Sequence, residues 1–316
     1  MASSGNFCTL NRNNNMLSGD SGSDKVIIAN GNLSTEDQGS YYSNLVGTHA
    51  VSGTGKFYYE YRVVTAANNG NRFGWLDLNQ AQNVATAAGS PGYPGSIAAS
   101  WTANNSTPND RIDFSNNDST TSIKYGTAHS AGDVFCCGLD LATGKWYVSR
   151  NAALDPDNAA TSTVSSGTLE VFSNLDGGLY APSGGEQGGS DSFYNFGQDS
   201  TFGGARSAGG ETDANDFGDF AFAVPSDYLA ICSGNLAVSS DIDPAGDDGA
   251  TENPDKQAGA VLYTGNGGSP DLAVTGLGFQ PDLVWGKARG ASQLPILQDS
   301  ARGQELLFSS SANAAQ

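Results

Sequence analysis

Bulky side chains alternate with small or polar ones in short runs along this chain, most clearly from Ala131 to Asn151, AGDVFCCGLDLATGKWYVSRN. Successive side chains on a strand point to opposite faces. Phe135, Cys137, Leu139 and Leu141 therefore share one face, with Val134, Cys136, Gly138 and Asp140 on the other. In the next run Trp146 and Val148 share a face, opposite Lys145, Tyr147 and Ser149. Between them stands Ala142-Thr143-Gly144, and a three-residue loop ending in glycine suits a hairpin with a left-handed residue and a bulge. The pattern predicts a central antiparallel hairpin with one face built for a core.

Upstream, Gly55 to Val64 (GKFYYEYRVV) alternates Phe57, Tyr59, Tyr61 and Val63 with Tyr58, Glu60, Arg62 and Val64. Bulk on both faces predicts a strand inside a sandwich. Further short strands are expected at Val26–Ala29, Phe73–Leu78, Ile97–Trp101 and Leu169–Phe172. Met1 to Gly22 reads as an entry segment laid across a sheet edge. Gln80 to Gly95, with Pro91 and Pro94, reads as a loop. Thr102–Asp110 and Ser115–Ser122 read as polar connections around a short apolar Ile112-Asp113-Phe114. No amphipathic helix exceeds about three turns, the usual globular length. The expected fold class is all-β, a bent antiparallel sandwich followed by part of a second β-module.

The chain's 316 residues allow one large or two medium domains, and 42 glycines among many Asn, Ser and Thr residues fit a turn-rich β protein. Thirty-three acidic residues against 14 basic ones give a formal charge of -19. That field repels a phosphate backbone unless a basic patch outweighs it, and no basic cluster is visible in the sequence, so nucleic acid is not an expected partner. The start, MASSGNFCTLNRNNN, has no apolar signal-peptide region, and no run of about 18 apolar residues occurs. Neither signal-directed secretion nor membrane insertion is expected.

Cys8, Cys136, Cys137 and Cys232 lack metal-site spacing and read as small buried hydrophobes in a chain folded under reducing conditions. Only His49 and His129 offer imidazole, outside any metal motif, and His129 reads as a surface turn residue. Asp241 to Glu252 has Asp at positions 1 and 3, Gly at 6 and Glu at 12 of a calcium loop. Pro244, Ala245 and the absence of flanking helical patterns make it an acidic linker instead. Gly265-Asn266-Gly267-Gly268 lacks the strand-to-helix setting of a nucleotide loop. No catalytic residue, cofactor or metal is therefore expected. Exposed aromatics can stack on sugars or anchor a partner, and Tyr41, Tyr42, Tyr93 and Trp101 are the candidates.

The Ala131–Asn151 hairpin and GKFYYEY together resemble the paired signature of the SPRY domain, a bent antiparallel β-sandwich used for binding. Arg72-Phe73-Gly74-Trp75-Leu76 occupies the place of the family's middle strand, Gly178–Pro182 that of its "YFPA" strand and Ser192–Gln198 that of its closing strand. Ala152 stands where the family closes the hairpin with Gly. Phe220 to Cys232 resembles a segment that trails SPRY-like domains in virion proteins of marine bacteriophages. Gly278–Trp285 and Gln298–Gly303 resemble the opening of a second phage-associated module, with Gly286, Ala288 and Pro295 as departures.

These resemblances imply an SPRY-like sandwich over residues 1–238, an acidic linker over 239–258 and the N-terminal part of the second module over 259–316. The Gly-rich acidic stretch 199–219 reads as an insertion or disordered loop whose removal is tolerated. SPRY domains bind through loops at one end, which nominates the Gln80–Ser96 and Thr102–Ser122 connections. The implied role is that of a non-enzymatic virion protein, a tail fibre or tail-associated appendage, made in the host cytoplasm. Its implied partners are other virion proteins, copies of itself and a host surface glycan. Alternatives are a capsid decoration protein, a lectin-like bacterial surface adhesin and a polysaccharide depolymerase.

Overall fold

The computed structural model describes residues 6–12, 16–17, 26–36, 43–67, 70–79, 100–106, 111–116, 119–175, 177–236, 259–267, 272–277, 279–290, 295–301 and 307–308. Two compact units divide the chain, Met1–Leu236 and Ala237–Gln316.

In the first unit the strands begin with β1 (Met16–Leu17), β2 (Ile27–Ala29), β3 (Ser34–Glu36), β4 (Ser43–Val46) and β5 (Lys56–Thr65). There follow β6 (Arg72–Asp77), β7 (Ser100–Ser106), β8 (Arg111–Asn116), β9 (Ser119–Tyr125), β10 (Val134–Asp140) and β11 (Lys145–Arg150). The last are β12 (Thr168–Phe172), β13 (Tyr180–Gly185), β14 (Asp191–Asn195) and β15 (Leu229–Ala230). One sheet runs β1-β4-β13-β6-β7-β8-β9 and the other β12-β11-β10-β5-β14-β3-β2. β15 pairs in parallel with Phe57 and Tyr58 of β5, below the stretch of β5 that β14 occupies. Among the described residues all other strand pairs are antiparallel.

Aromatic rings from both sheets close the space between them. Tyr61 stacks on Phe73 at 4.5 Å, Phe73 lies 4.8 Å from Phe135, and Tyr59 meets Trp75 edge-on at 5.3 Å. Such offset and edge-to-face contacts suit the ring quadrupole. The protein is thus an all-β antiparallel sandwich in this unit.

The central hairpin has the faces that alternation demands. Phe135, Cys137, Leu139, Trp146 and Val148 enter the main core, whereas Cys136 and Tyr147 join a second apolar layer outside the sheet. The register Asp140↔Lys145 leaves a four-residue connection, Leu141 to Gly144, one longer than expected. Asp140 accepts hydrogen bonds from the Ala142 and Thr143 N–H groups, and Gly144 takes the left-handed conformation at φ 65°. All four cysteines are buried and free.

Three expectations are corrected. The polar tracts flanking Ile112-Asp113-Phe114 are not loops, since β7, β8 and β9 form a meander along the edge of the first sheet. Backbone pairing needs no apolar side chain, and one buried residue in two, here Ala103, Ile112, Phe114 and Tyr125, is enough to hold it on the core.

The stretch Asp199–Asp219 is folded rather than disordered. Ser200, Phe202 and Asp213 in it are buried. The chain after β14 lies over the outer face of the second sheet, where Phe220, Tyr228, Ala230 and Cys232 pack on Tyr58, Cys136, Tyr147 and Leu154. Its turns are tied by carboxylates: Asp213 accepts from the Asn215, Phe217 and Ala230 N–H groups, and Asp219 from Ser200 and Gly210. Gly138 makes room for this layer, because a Cβ there would lie 2.3 Å from Leu154 Cδ2.

His129, the third case, is buried instead of lying in a surface turn.

At the N-terminus Leu10 is buried and bridges Gly47, while β1 pairs with β4, so this segment does run along a sheet edge. In the second unit β16 (Leu283–Gly286), β17 (Ile296–Asp299) and β18 (Leu307–Phe308) form an antiparallel sheet in that order.

Candidate functional site

Two buried carboxylates mark the places where this sandwich departs from a purely apolar interior. Glu186 follows β13 and is fully buried. Thr35 Oγ1 on β3 donates to its Oε1 at 2.9 Å, and Ser190 Oγ donates to its Oε2 at 2.7 Å. Asn71, just before β6, donates from Nδ2 to Oε2 at 3.4 Å and to Ser192 Oγ at 3.2 Å. Tyr61 on β5 shares a short hydrogen bond with Ser192. The backbone of Glu186 exchanges bonds with Ser43, whose Oγ accepts its N–H at 2.9 Å.

Among the described residues no Lys or Arg pairs with Glu186. Burial therefore dominates and pushes its carboxyl up to about 8, against the pull of the surrounding hydroxyls, with the Asp191 charge adding to the rise. Near neutral pH the group holds a proton that an exposed glutamate would have lost.

His129 adjoins this cluster through Asn71. The Asn71 amide oxygen accepts from Ala67 N–H at 3.2 Å and faces His129 Nε2 at 3.1 Å. An amide oxygen only accepts, so Nε2 carries the proton of the neutral ring. Burial lowers the His129 pKa to about 4, more than nearby Asp133 raises it. The cluster thus joins a proton-retaining acid and a neutral imidazole through one amide, sealed from solvent. It can tie six chain segments together and store a proton inside the fold.

Glu60, the second carboxylate, faces outward from β5 and is covered by the outer layer. Its oxygens accept from Tyr58 OH at 3.1 Å, Asn195 Nδ2 at 2.9 Å, and the N–H groups of Ala221 and Phe222 at 2.9 to 3.0 Å. Burial raises its pKa, and these donors oppose the rise. This one side chain pins the start of the Phe220–Cys232 segment to the sheet.

The aromatic candidates lie elsewhere. Tyr41 and Tyr42 immediately precede β4, Tyr93 belongs to the long Gln80–Ser96 connection, and all three lie outside the described residues. The calcium-like Asp241–Glu252 stretch also lies outside them. Trp101 sits in β7, a strand flanked on both sides in its sheet, in register with Trp75 of β6 and Asn116 of β8. Of the two connections nominated for binding, the second is the β7–β9 meander. Among the described residues no group of three or more His, Cys, Asp or Glu side chains is placed to hold a metal.

Sequence reading missed both carboxylate clusters. Glu60 had a signal, a lone acid among aromatic residues on an alternating strand. Glu186 had none, since its partners Thr35 and Asn71 lie 151 and 115 positions away.

Residues 253–316 match a family described as "Domain of unknown function (DUF7483)", a small part of the chain. No curated protein matches the chain. Among solved structures it is similar to the SPRY domain of human HERC1, with 11% identity over 54% of this chain and 91% of that one, at a TM-score of 0.39. The sandwich itself rests on the strand registers given above.

Proposed function

We propose that this protein is a non-enzymatic structural component of a bacteriophage particle. In this reading it is a tail fibre or tail-associated appendage, with an SPRY-like sandwich as its rigid mount and loops at one end as the contact surface. One observation carries the reading: the stretch that resembles phage virion sequences, Phe220–Cys232, is a built-in layer of the first unit. Phe220, Tyr228, Ala230, Ile231 and Cys232 are all buried, and Glu60 holds the Ala221 and Phe222 N–H groups. The resemblance therefore falls on residues that the fold needs, not on a detachable tail. The second unit adds a resemblance of its own, over Gly278–Trp285 and Gln298–Gly303, to a phage-associated module.

The buried acids fit a mount better than a reaction centre. Each is saturated with internal donors and closed to solvent, whereas a general acid must reach its substrate within hydrogen-bond distance. The partners in this reading are other virion proteins, further copies of the chain and a glycan on the host surface.

Mass spectrometry and antibody labelling of purified particles test the proposal. The expected result is a stoichiometric virion protein with label on the tail. Particles that lack it, while infected-cell lysates contain it, would remove the structural role. Release of reducing ends from host polysaccharide by the purified protein would replace adhesion with depolymerisation.

A further inference from the structure

In a chain this acidic, cations are expected to find acid partners, and Lys56, Lys145 and Arg150 of the first unit do. Lys145 meets Glu170 at 2.9 Å, Arg150 meets Asp133 at 2.6 Å, and Lys56 lies 3.5 Å from Asp227 and 3.7 Å from Asp140. Arg62 and Arg206 are different. Both are half-buried, both lie on the outer side of the second sheet, and neither has a carboxylate within ion-pair distance among the described residues.

Their placement is set by the layer that covers the sheet. Arg62 is on the outward face of β5, two residues beyond Glu60, between Val134 of β10 and Phe193 of β14. Phe193 packs edge-on against Phe202 at 5.8 Å. Phe202 belongs to a tight turn that the Asp199 carboxylate caps by accepting from the Thr201 and Gly203 N–H groups. Arg206 ends that turn, with its N–H bonded to Thr201 O at 3.1 Å. Its guanidinium lies 4.7 Å above the Phe222 ring, and the Phe222 N–H is itself bound to Glu60. Both arginine stems therefore spring from braced backbone, and the two charges sit close enough to repel. Burial, and then the charge of Arg206, lower the pKa of Arg62.

Among the described residues, none of the acids that border this spot makes an ion pair with either arginine, and each has other donors to serve. Glu60 is filled by Tyr58, Asn195, Ala221 and Phe222, Asp199 by its own turn, and Asp219 by Ser200 and Gly210. Asp191, on the neighbouring strand, accepts from Thr65 Oγ1 at 2.8 Å. Two planar guanidinium forks on the same outer face, each feeling the other's charge and with no ion-pair partner among the described residues, offer several N–H donors to one ligand.

We infer that Arg62 and Arg206 form a binding site for a single oxyanionic group, a carboxylate, sulfate or phosphate, held between the two guanidinium forks. A bound anion would relieve their repulsion and replace the water lost to half-burial. The site stands on this geometry and does not depend on the virion reading. If that reading holds, the acid group of a charged surface saccharide is the ligand class that fits.

The full-length protein should be titrated with sodium sulfate, sodium phosphate and a short polyuronate, at ionic strength held constant with sodium chloride. Binding would be read by calorimetry and by amide shifts of the Thr201–Arg206 turn. The expected result is saturable binding that chloride does not reproduce, weakened on the order of tenfold by R62Q or R206Q and left unchanged by R12Q. R62K and R206K keep the stem and the charge but lose the fork, so they should weaken it several-fold. They also serve if R206Q, which uncovers Phe222, fails to fold. Polyuronate binding tighter than sulfate identifies a saccharide-borne acid, and the reverse order identifies a free ion. Equal affinity in the wild type and all four arginine-site variants, or a response that chloride matches, overturns the site.

Discussion

The two units of this chain put similar side chains to opposite use. In the first, Trp75 and Trp146 are fully buried, along with all the tyrosines of β5 and β14. In the second, Trp285 is 68% exposed, Leu283 62% and Leu262 74%. Both units contain strands with apolar residues. What separates them is covering: in the first unit the second sheet has a partner layer on each face, the other sheet inside and the Phe196–Leu236 wrap outside. The described strands of the second unit make only a three-stranded sheet. Alternation along a strand tells which residues share a face, and it says nothing about what lies over that face.

The strongest test of this contrast is to remove part of the outer layer. Deleting Ser200–Asp216 takes away Phe202 and the Asp213 ties, and should abolish the cooperative melting transition of the first unit in calorimetry. An unchanged transition would mean that the wrap is dispensable, as sequence reading expected. Next in size is Trp146→Ala, which should cost about 3 to 5 kcal/mol in chemical denaturation, as large core truncations do. A cost below about 1 kcal/mol would contradict the inward face of β11. Gly138→Ala probes the outer layer from beneath, since its Cβ would press on Leu154 and on Tyr228 at 2.8 Å. Overpacking of this kind should cost about 1 to 3 kcal/mol, and a neutral result would show that the layer yields freely.

The Glu186 cluster predicts a pH dependence. Its native pKa, about 8, exceeds the ordinary 4.5, so the folded state binds the extra proton and stability declines as pH rises between those values. His129 acts in the opposite sense: its native pKa of about 4 lies below 6.5, so stability rises with pH across that interval. Between pH 4.5 and 6.5 these two slopes oppose each other, and from 6.5 to 8 only the Glu186 decline of the two remains. It amounts there to at most about 2 kcal/mol. E186Q should flatten the upper window, and a wild-type curve that stays level up to pH 8 would show that the carboxyl has an escape to solvent. Smallest of all is Trp285→Ala, which should shift the stability of the second unit by no more than about 0.5 kcal/mol, the usual range for a surface change. A larger loss would mean that this ring is covered in solution.

Much of the first unit was legible from residue order alone. The hairpin faces and the all-β class follow from period-two alternation and turn residues, which are local properties, and the burial of all four cysteines follows from the apolar character of a free thiol. The polar strands β7 to β9 were hidden, because only Ala103, Ile112, Phe114 and Tyr125 show the period among Asn, Ser and Thr. The folded wrap was hidden as well, because Gly-rich acidic sequence reads as disorder until its carboxylates find N–H partners.

What the amino-acid order settled by itself is which side chains can share a face and where the chain must turn, since backbone geometry imposes both within a few residues. Only the assembled structure decided which faces are covered, that Glu60 and Glu186 become buried knots, and that Arg62 and Arg206 share an outer face with no ion-pair partner among the described residues. Those outcomes join residues more than a hundred positions apart, as Glu60 and Ala221 do across 161. Burial and electrostatics act through space, and no local pattern encodes which distant segment will arrive.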